Sequence, residues 1–259
     1  YIMKLAIISS IQHLDLSLKG DILYYLSHID NPIYIKFFRQ QKKYKISDNS
    51  IHEQKEIDYQ TFILRTKTIN ANEIIIPDHM KETRLTINKY KDFMKKHYNE
   101  VKHMNIQTVI QGKYLDDIID CYKYYVKDKR VNIIGVPFDL TPLKLSNEKY
   151  ENQMLNRIVI INKISQLRNK KQVHLLGLNS PLELGILKKY DFIRSNDSKL
   201  SVRCALSNIK FKDYITKPNK ILDLEVDKLN NEQIKIANGN IKYLKQIGGE
   251  KNEANKTEN

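Results

Sequence analysis

The sequence predicts an α/β fold, a (β/α)8 TIM-type barrel, and three observations point to it. Short, β-branched apolar runs recur along the chain. Amphipathic stretches of helical period separate them. The length, 259 residues, suits one such barrel. Runs that stay apolar through their middle suit strands covered on both faces, and alternation of strand with helix means a parallel sheet with crossover helices. A doubly wound open sheet is the alternative.

Seven runs come in order: KLAIISS (4–10), YKISDNS (44–50), NEIIIPD (72–78), IQTVIQG (106–112), VNIIGVPFD (131–139), QVHLLGL (172–178) and FIRSNDS (192–198). An eighth strand is placed at Ile209 to Ile215. Between the runs, Thr83 to Met104 reads as a long charged helix. Leu115 to Lys127 puts Leu115, Ile118, Ile119, Tyr122 and Val126 on one face, and Asn147 to Arg168 does the same for Met154, Ile158, Ile161 and Ile164. Asn219 to Ile247 reads as one or two terminal helices, and Gly248-Gly249 opens a polar tail. The domain reading is a catalytic barrel over 3–216, a helical extension over 217–247 and a disordered tail over 248–259.

Hydrophobic residues make up 41% of the chain, enough for a sizeable core. Lys and Arg number 44 against 30 Asp and Glu, a net charge of +14. The tail carries slightly more acid than base, so the excess sits on the folded body, which suits a polyanionic partner such as nucleic acid. Solvated lysines in a Lys-, Asn- and Ile-rich sequence are the plainer reading of the same charge. Cys121 and Cys204 stand alone, with no CxxC and no zinc spacing, so no metal is expected and a reduced, cytoplasmic setting is. No apolar run approaches the about 20 residues of a membrane span, and no signal-peptide pattern opens the sequence. Met3 is read as the natural start.

Polar residues gather at the C-terminal ends of the runs: Asp48-Asn49-Ser50, Pro77-Asp78-His79, Gln111-Gly112, Gly135 with Asp139, His174 with Gly177, and Arg194 through Ser198. In a parallel barrel these ends share one mouth, where active sites are built. Taken singly, a strand-end Asp is often a helix N-cap, Gln-Gly an ordinary turn, and His174 a satisfied core histidine. The repetition in successive strands is what these readings explain poorly. There is no GxGxxG, no Walker loop, no GxSxG elbow and no second His for the fragment His52-Glu53. Chemistry would therefore rest on carboxylates, and two at one mouth are the minimum for glycosyl transfer.

In order and approximate spacing, several of these segments resemble the tRNA-guanine transglycosylases. They are most similar to the short phage and bacterial branch that acts on DNA. The segments are ISDNSIHE (46–53), EIIIPD (73–78), VIQG (109–112), IIGVPFD (133–139), VHLLGLNSPLEL (173–184) and IRSNDSKLSV (193–202). Together they cover roughly residues 4 to 205. The resemblance implies exchange of guanine in DNA for a free 7-deazaguanine base such as 7-cyano-7-deazaguanine, the co-substrate, with no other cofactor. It implies Asp197 as nucleophile and Asp48 as acid/base residue. Asp78, Gln111, Gly135 and His174 would contact the base. Lys42, Lys43, Lys45, Arg194, Lys199 and Arg203 would contact nucleic acid. A phage origin, hence a host-cell cytoplasm, belongs to the same branch.

The chain also departs from the tRNA enzymes. It cannot form their Cys/His zinc site, and Asp48-Asn49-Ser50 stands where they have an Asp-Ser-Gly-Gly type turn. Asn49-Ser50 also replaces the Asn-Gly of the DNA branch. A tRNA substrate, a non-catalytic nucleic-acid-binding barrel and a phosphate-sugar barrel enzyme are the alternatives.

Overall fold

The structure, a computed structural model, describes residues 2–51, 57–139, 153–178, 180–215 and 217–249. Eight strands form a single sheet: β1 (Lys4–Ile7), β2 (Leu23–Leu26), β3 (Lys45–Asp48), β4 (Glu73–Ile75), β5 (Asn105–Val109), β6 (Val131–Pro137), β7 (Gln172–Leu176) and β8 (Ile193–Ser198). Their spatial order is β1-β8-β7-β6-β5-β4-β3-β2, and each neighbouring pair is parallel. A lone bridge from Ala6 to Ile22 brings β1 back to the start of β2 and nearly closes the sheet on itself. This is a (β/α)8 barrel.

Helices follow the strands: α1 (Leu14–Ser17), α2 (Pro32–Gln40), α3 (Tyr59–Thr68), α4 (Thr83–Val101), α5 (Leu115–Lys127), α6 (Gln153–Ser165), α7 (Pro181–Leu187), α8 (Leu200–Leu206) and the terminal α9 (Asn231–Ile247). Their starts are chemically marked. Asn31, Asp58, Ser180 and Asn230 accept backbone N–H bonds as N-caps, and Pro32 and Pro181 open α2 and α7 where a missing N–H costs nothing. The face predicted for α5 packs inward, with Ile118 and Tyr122 buried beside Cys121 and Tyr125. In α6, Ile160, Ile161 and Ile164 are buried, while Met154 and Ile158 are half-buried. The predicted start of that helix at Asn147 and the tail from Glu250 lie outside the described residues.

The eighth strand is not where the sequence reading put it. It is β2, whose residues LYYL are all buried, and it follows β1 after only a short 3-10 turn and the one-turn α1. Ile209 to Ile215 instead holds a 3-10 turn over Phe211–Asp213, with Ile215 91% exposed. Pairing of β1 with β8 leaves no edge for a strand there. YKISDNS is therefore the third strand and FIRSNDS the eighth.

The chain after α8 is stitched back onto the barrel. Ile11 N donates to Leu224 O, Leu229 N to His13 Nε2, and Met3 N to Gly248 O. One helix, α9, serves where one or two were expected; it buries Ile236, Ala237, Ile241 and Leu244 against α7 and α8. Asn240, buried in the same face, donates to Ser201 O and Ile209 O and accepts from Phe211 N.

Candidate active site

A cleft of about 930 Å³, counting its open mouth, lies at the C-terminal ends of the strands. Apolar walls come from Ile8, Tyr24, Leu26, Met80, Phe138 and Leu176. Into it project Asp48 from β3, Asn49, Asp78 after β4, Gln111 after β5, Asp139 after β6, and Asp197 from β8. Residues separated by 149 positions, from Asp48 to Asp197, thus meet at one mouth, as parallel strands require.

Asp197 is held on one side. Its Oδ1 accepts from His174 Nε2 at 3.1 Å and from the Gly177 backbone N–H at 3.0 Å. Among the described residues Oδ2 has no such donor, and the carboxylate borders the cleft. Gly177 can donate because its backbone turns to φ +69°, and a Cβ there would meet the Phe138 ring at 2.4 Å; both facts require glycine. Its carbonyl is tied down by Arg157 Nη2 and Asn196 Nδ2, each at 2.9 Å. Arg157 is fully buried and pairs with fully buried Glu183 at 2.6 Å. One ion pair beneath the loop thus fixes the turn that donates to Asp197.

Asp78 is set differently. Burial pushes its carboxyl above the usual carboxylate range, while hydrogen bonds from Gln111 and Asn49 pull the other way. Gln111 Nε2 donates to Oδ2 at 2.7 Å and Asn49 Nδ2 to Oδ1 at 2.9 Å. Gln111 Oε1 accepts from Lys81 N, which fixes the orientation of the amide. Asp78 and Gln111 form one rigid polar edge beside the apolar walls. Asn49, given no role from the sequence, is the third member. Ser50 has a left-handed φ of 59°, the conformation a glycine would adopt without strain, and its Oγ accepts from His28 N.

Lys199 and Arg203 border the cleft, as does Lys217, which the sequence reading missed. Burial, then the nearby Arg203 and Lys199 charges, lower the Lys217 amine to about 8. Its Nζ sits 4.9 Å from the centre of the Phe138 ring. The Arg203 guanidinium is committed to the carbonyls of Pro218 and Lys220, so it braces the 218–220 segment.

Six residues assigned to base or nucleic acid lie elsewhere. His174 is fully buried beneath the cleft, bonded to Ser195 and Asp197 and stacked on Tyr24, so it supports Asp197 and does not line the cleft. Gly135 is buried in β6, its carbonyl taken by Ile110 N and its α-carbon packed against Gln107. Gly177 is the glycine that reaches the cleft. Lys42, Lys43 and Lys45 lie at the start of β3, the opposite end of the barrel. Lys43 Nζ binds the carbonyls of Leu18 and Gly20, and buried Lys45 donates to Gln41 O. Arg194 points inside the barrel, where Nη1 and Nη2 meet Glu73 at 2.6 and 3.1 Å.

Among the described residues, no three His, Cys, Asp or Glu side chains converge on a metal-sized site, and no helix is long and apolar enough to cross a membrane. No protein-family model matches the chain, and no curated protein matches its sequence.

Proposed function

We propose that the protein is a base-exchanging transglycosylase that replaces guanine in DNA with a 7-deazaguanine base. The observation that carries the reading is the Asp197 carboxylate. One oxygen is saturated by two donors, and the carboxylate borders a cleft that Asp48 also lines. A carboxylate fixed in this way attacks a sugar carbon without reorganising.

In this reading Asp197 Oδ2 bonds to C1′ as the C1′–N9 bond breaks. Guanine leaves with that bond's electron pair and takes a proton from the Asp48 carboxyl. The incoming 7-deazaguanine then gives its N9 proton to Asp48. N9 bonds to C1′, and Asp197 leaves as the carboxylate. Two displacements give net retention. Asp78 and Gln111 offer acceptors to the N1 and amino hydrogens of guanine and an amide hydrogen to O6. The apolar walls of Tyr24, Met80 and Phe138 suit the faces of a planar purine. The net charge of +14 suits a polyanionic substrate, with Lys199 and Lys217 at the mouth as its phosphate contacts. The resemblance to the DNA-acting branch is what favours DNA over tRNA.

The test is nucleoside mass analysis after incubating the protein with free 7-cyano-7-deazaguanine and either DNA or tRNA. The expected result is incorporation into DNA by the wild type and loss of at least about 10³-fold in Asp197→Ala. Exclusive labelling of tRNA would overturn the substrate. No labelling of either, or undiminished labelling by Asp197→Ala, would overturn the reaction.

A further inference from the structure

A line of buried and half-buried side chains runs the length of the barrel and ends on Asp197. At the far end, Asn105 Nδ2 donates to Tyr44 Oη and Tyr44 O–H donates to Glu73 Oε2, both at 2.7 Å. Glu73 on β4 takes the Arg194 fork from β8, the strand across the barrel. Arg194 also turns its Nε–H to Ser195 Oγ at 3.0 Å. Ser195 Oγ lies 2.7 Å from His174 Nδ1, and His174 Nε2 lies 3.1 Å from Asp197 Oδ1. A break in the β7–β8 register between Val173 and His174 leaves Arg194 as an extra residue, so adjacent Arg194 and Ser195 both join the line.

The direction of each hydrogen follows from chemistry. Arginine only donates, so Ser195 Oγ accepts from Arg194 and directs its own hydrogen elsewhere. The acceptor within reach among the described residues is His174 Nδ1. An imidazole whose Nδ1 accepts carries its hydrogen on Nε2, and that hydrogen points at Asp197. Stacking on Tyr24, at 5.8 Å between centroids and 14° between planes, keeps the ring from turning.

We propose that His174 is a positioning residue for Asp197, locked as its neutral Nε2–H tautomer by the Glu73–Arg194–Ser195 line. The inference rests on the reading of Asp197 as nucleophile. Its consequence is that His174 saturates Oδ1 without bringing a positive charge beside the attacking group. The carboxylate keeps one oxygen for C1′. A charge fixed at the closed end of the barrel thereby sets a tautomer at the open end.

The experiment is nitrogen-15 NMR of the imidazoles in the full-length protein at pH 7.5, with the His174 signal identified by its loss in His174→Gln. The expected wild-type spectrum has a hydrogen on Nε2 and none on Nδ1. A hydrogen on Nδ1, or on both nitrogens, overturns the proposal. In Ser195→Ala the expected spectrum gains the Nδ1–H tautomer, and kcat for base exchange falls about 10- to 100-fold with KM unchanged. An unaltered tautomer in Ser195→Ala also overturns it. His174→Gln retains an amide hydrogen for Asp197 and is expected to keep several-fold more activity than His174→Leu; equal activities count against it. The wild-type spectrum decides even where a variant does not fold. The expected tautomer without exchange on any nucleic acid overturns the function reading instead. Exchange with the other tautomer overturns only the role of His174.

Discussion

The two ends of the barrel are built from the same residue types and are left in opposite conditions. At the N-terminal end Glu73 is fully buried, takes both arms of the Arg194 fork and also accepts from Tyr44. Burial, and then the Glu73 charge, push the Tyr44 hydroxyl up to about 12. Glu73 and Arg194 neutralise each other there, and the end is a plug. At the C-terminal end Asp197 has one oxygen spent and its carboxylate borders a cleft, and Asp78 is buried and takes hydrogen bonds from two side-chain amides. Matched charges hold structure, whereas incompletely matched ones retain the capacity to act on a ligand.

The strongest way to break this comparison is to remove one carboxylate from each end. Glu73→Ala leaves the Arg194 charge buried and unpaired, so a loss of about 3–5 kcal/mol in urea unfolding is expected. Asp197→Ala is expected to cost far less stability while abolishing exchange. Equal destabilisation by both would erase the distinction between a plug and a site.

A smaller effect is expected from pH. The Asp78 carboxyl lies above its unfolded value, so the folded state binds that proton more tightly. Its contribution to stability is greatest at low pH and falls as pH rises through the raised value. Asp78→Asn removes this dependence. The wild type should therefore lose stability relative to Asp78→Asn as pH rises above the ordinary carboxylate range. A difference that does not change with pH would show that burial does not shift Asp78.

The smallest effects concern the lysines. Lys199 borders the cleft and Lys42 is exposed at the opposite end. Lys199→Ala is expected to lower the salt slope of DNA binding by about one unit, and Lys42→Ala to leave it unchanged. The reverse order would place DNA at the wrong end of the barrel.

The barrel was legible because most parallel strands covered on both faces leave short apolar runs, and seven of the eight strands were found that way. β2 was missed because LYYL is short and follows β1 without a full helix between them. Asp48, Asp78, Gln111 and Asp197 were legible because strand ends share a mouth whatever lies between them in sequence. Arg194 and His174 were misread because sequence gives the end of the strand but not the depth of the side chain. The register break that carries Arg194 inward, and the ion pair that buries it, depend on β4 and β7 as much as on β8. Arg157 and Glu183 gave no signal, since two charges on separate helices become a buried pair only in the folded chain. Lys217 gave none because it belongs to a segment without regular structure. Asn49 and Ser50 were seen as a departure from Asn-Gly, and the φ of 59° at Ser50 gives that departure its physical content.

The central claim is that Asp197 bonds to the sugar. Its most direct test is intact-mass analysis, under denaturing conditions, of the protein mixed with a guanine-containing DNA strand and no incoming base. A species with the mass of protein plus DNA less one guanine, absent from Asp197→Ala, is the expected result. An adduct that persists in Asp197→Ala, or exchange by the wild type through a reaction in which no adduct forms, would contradict it.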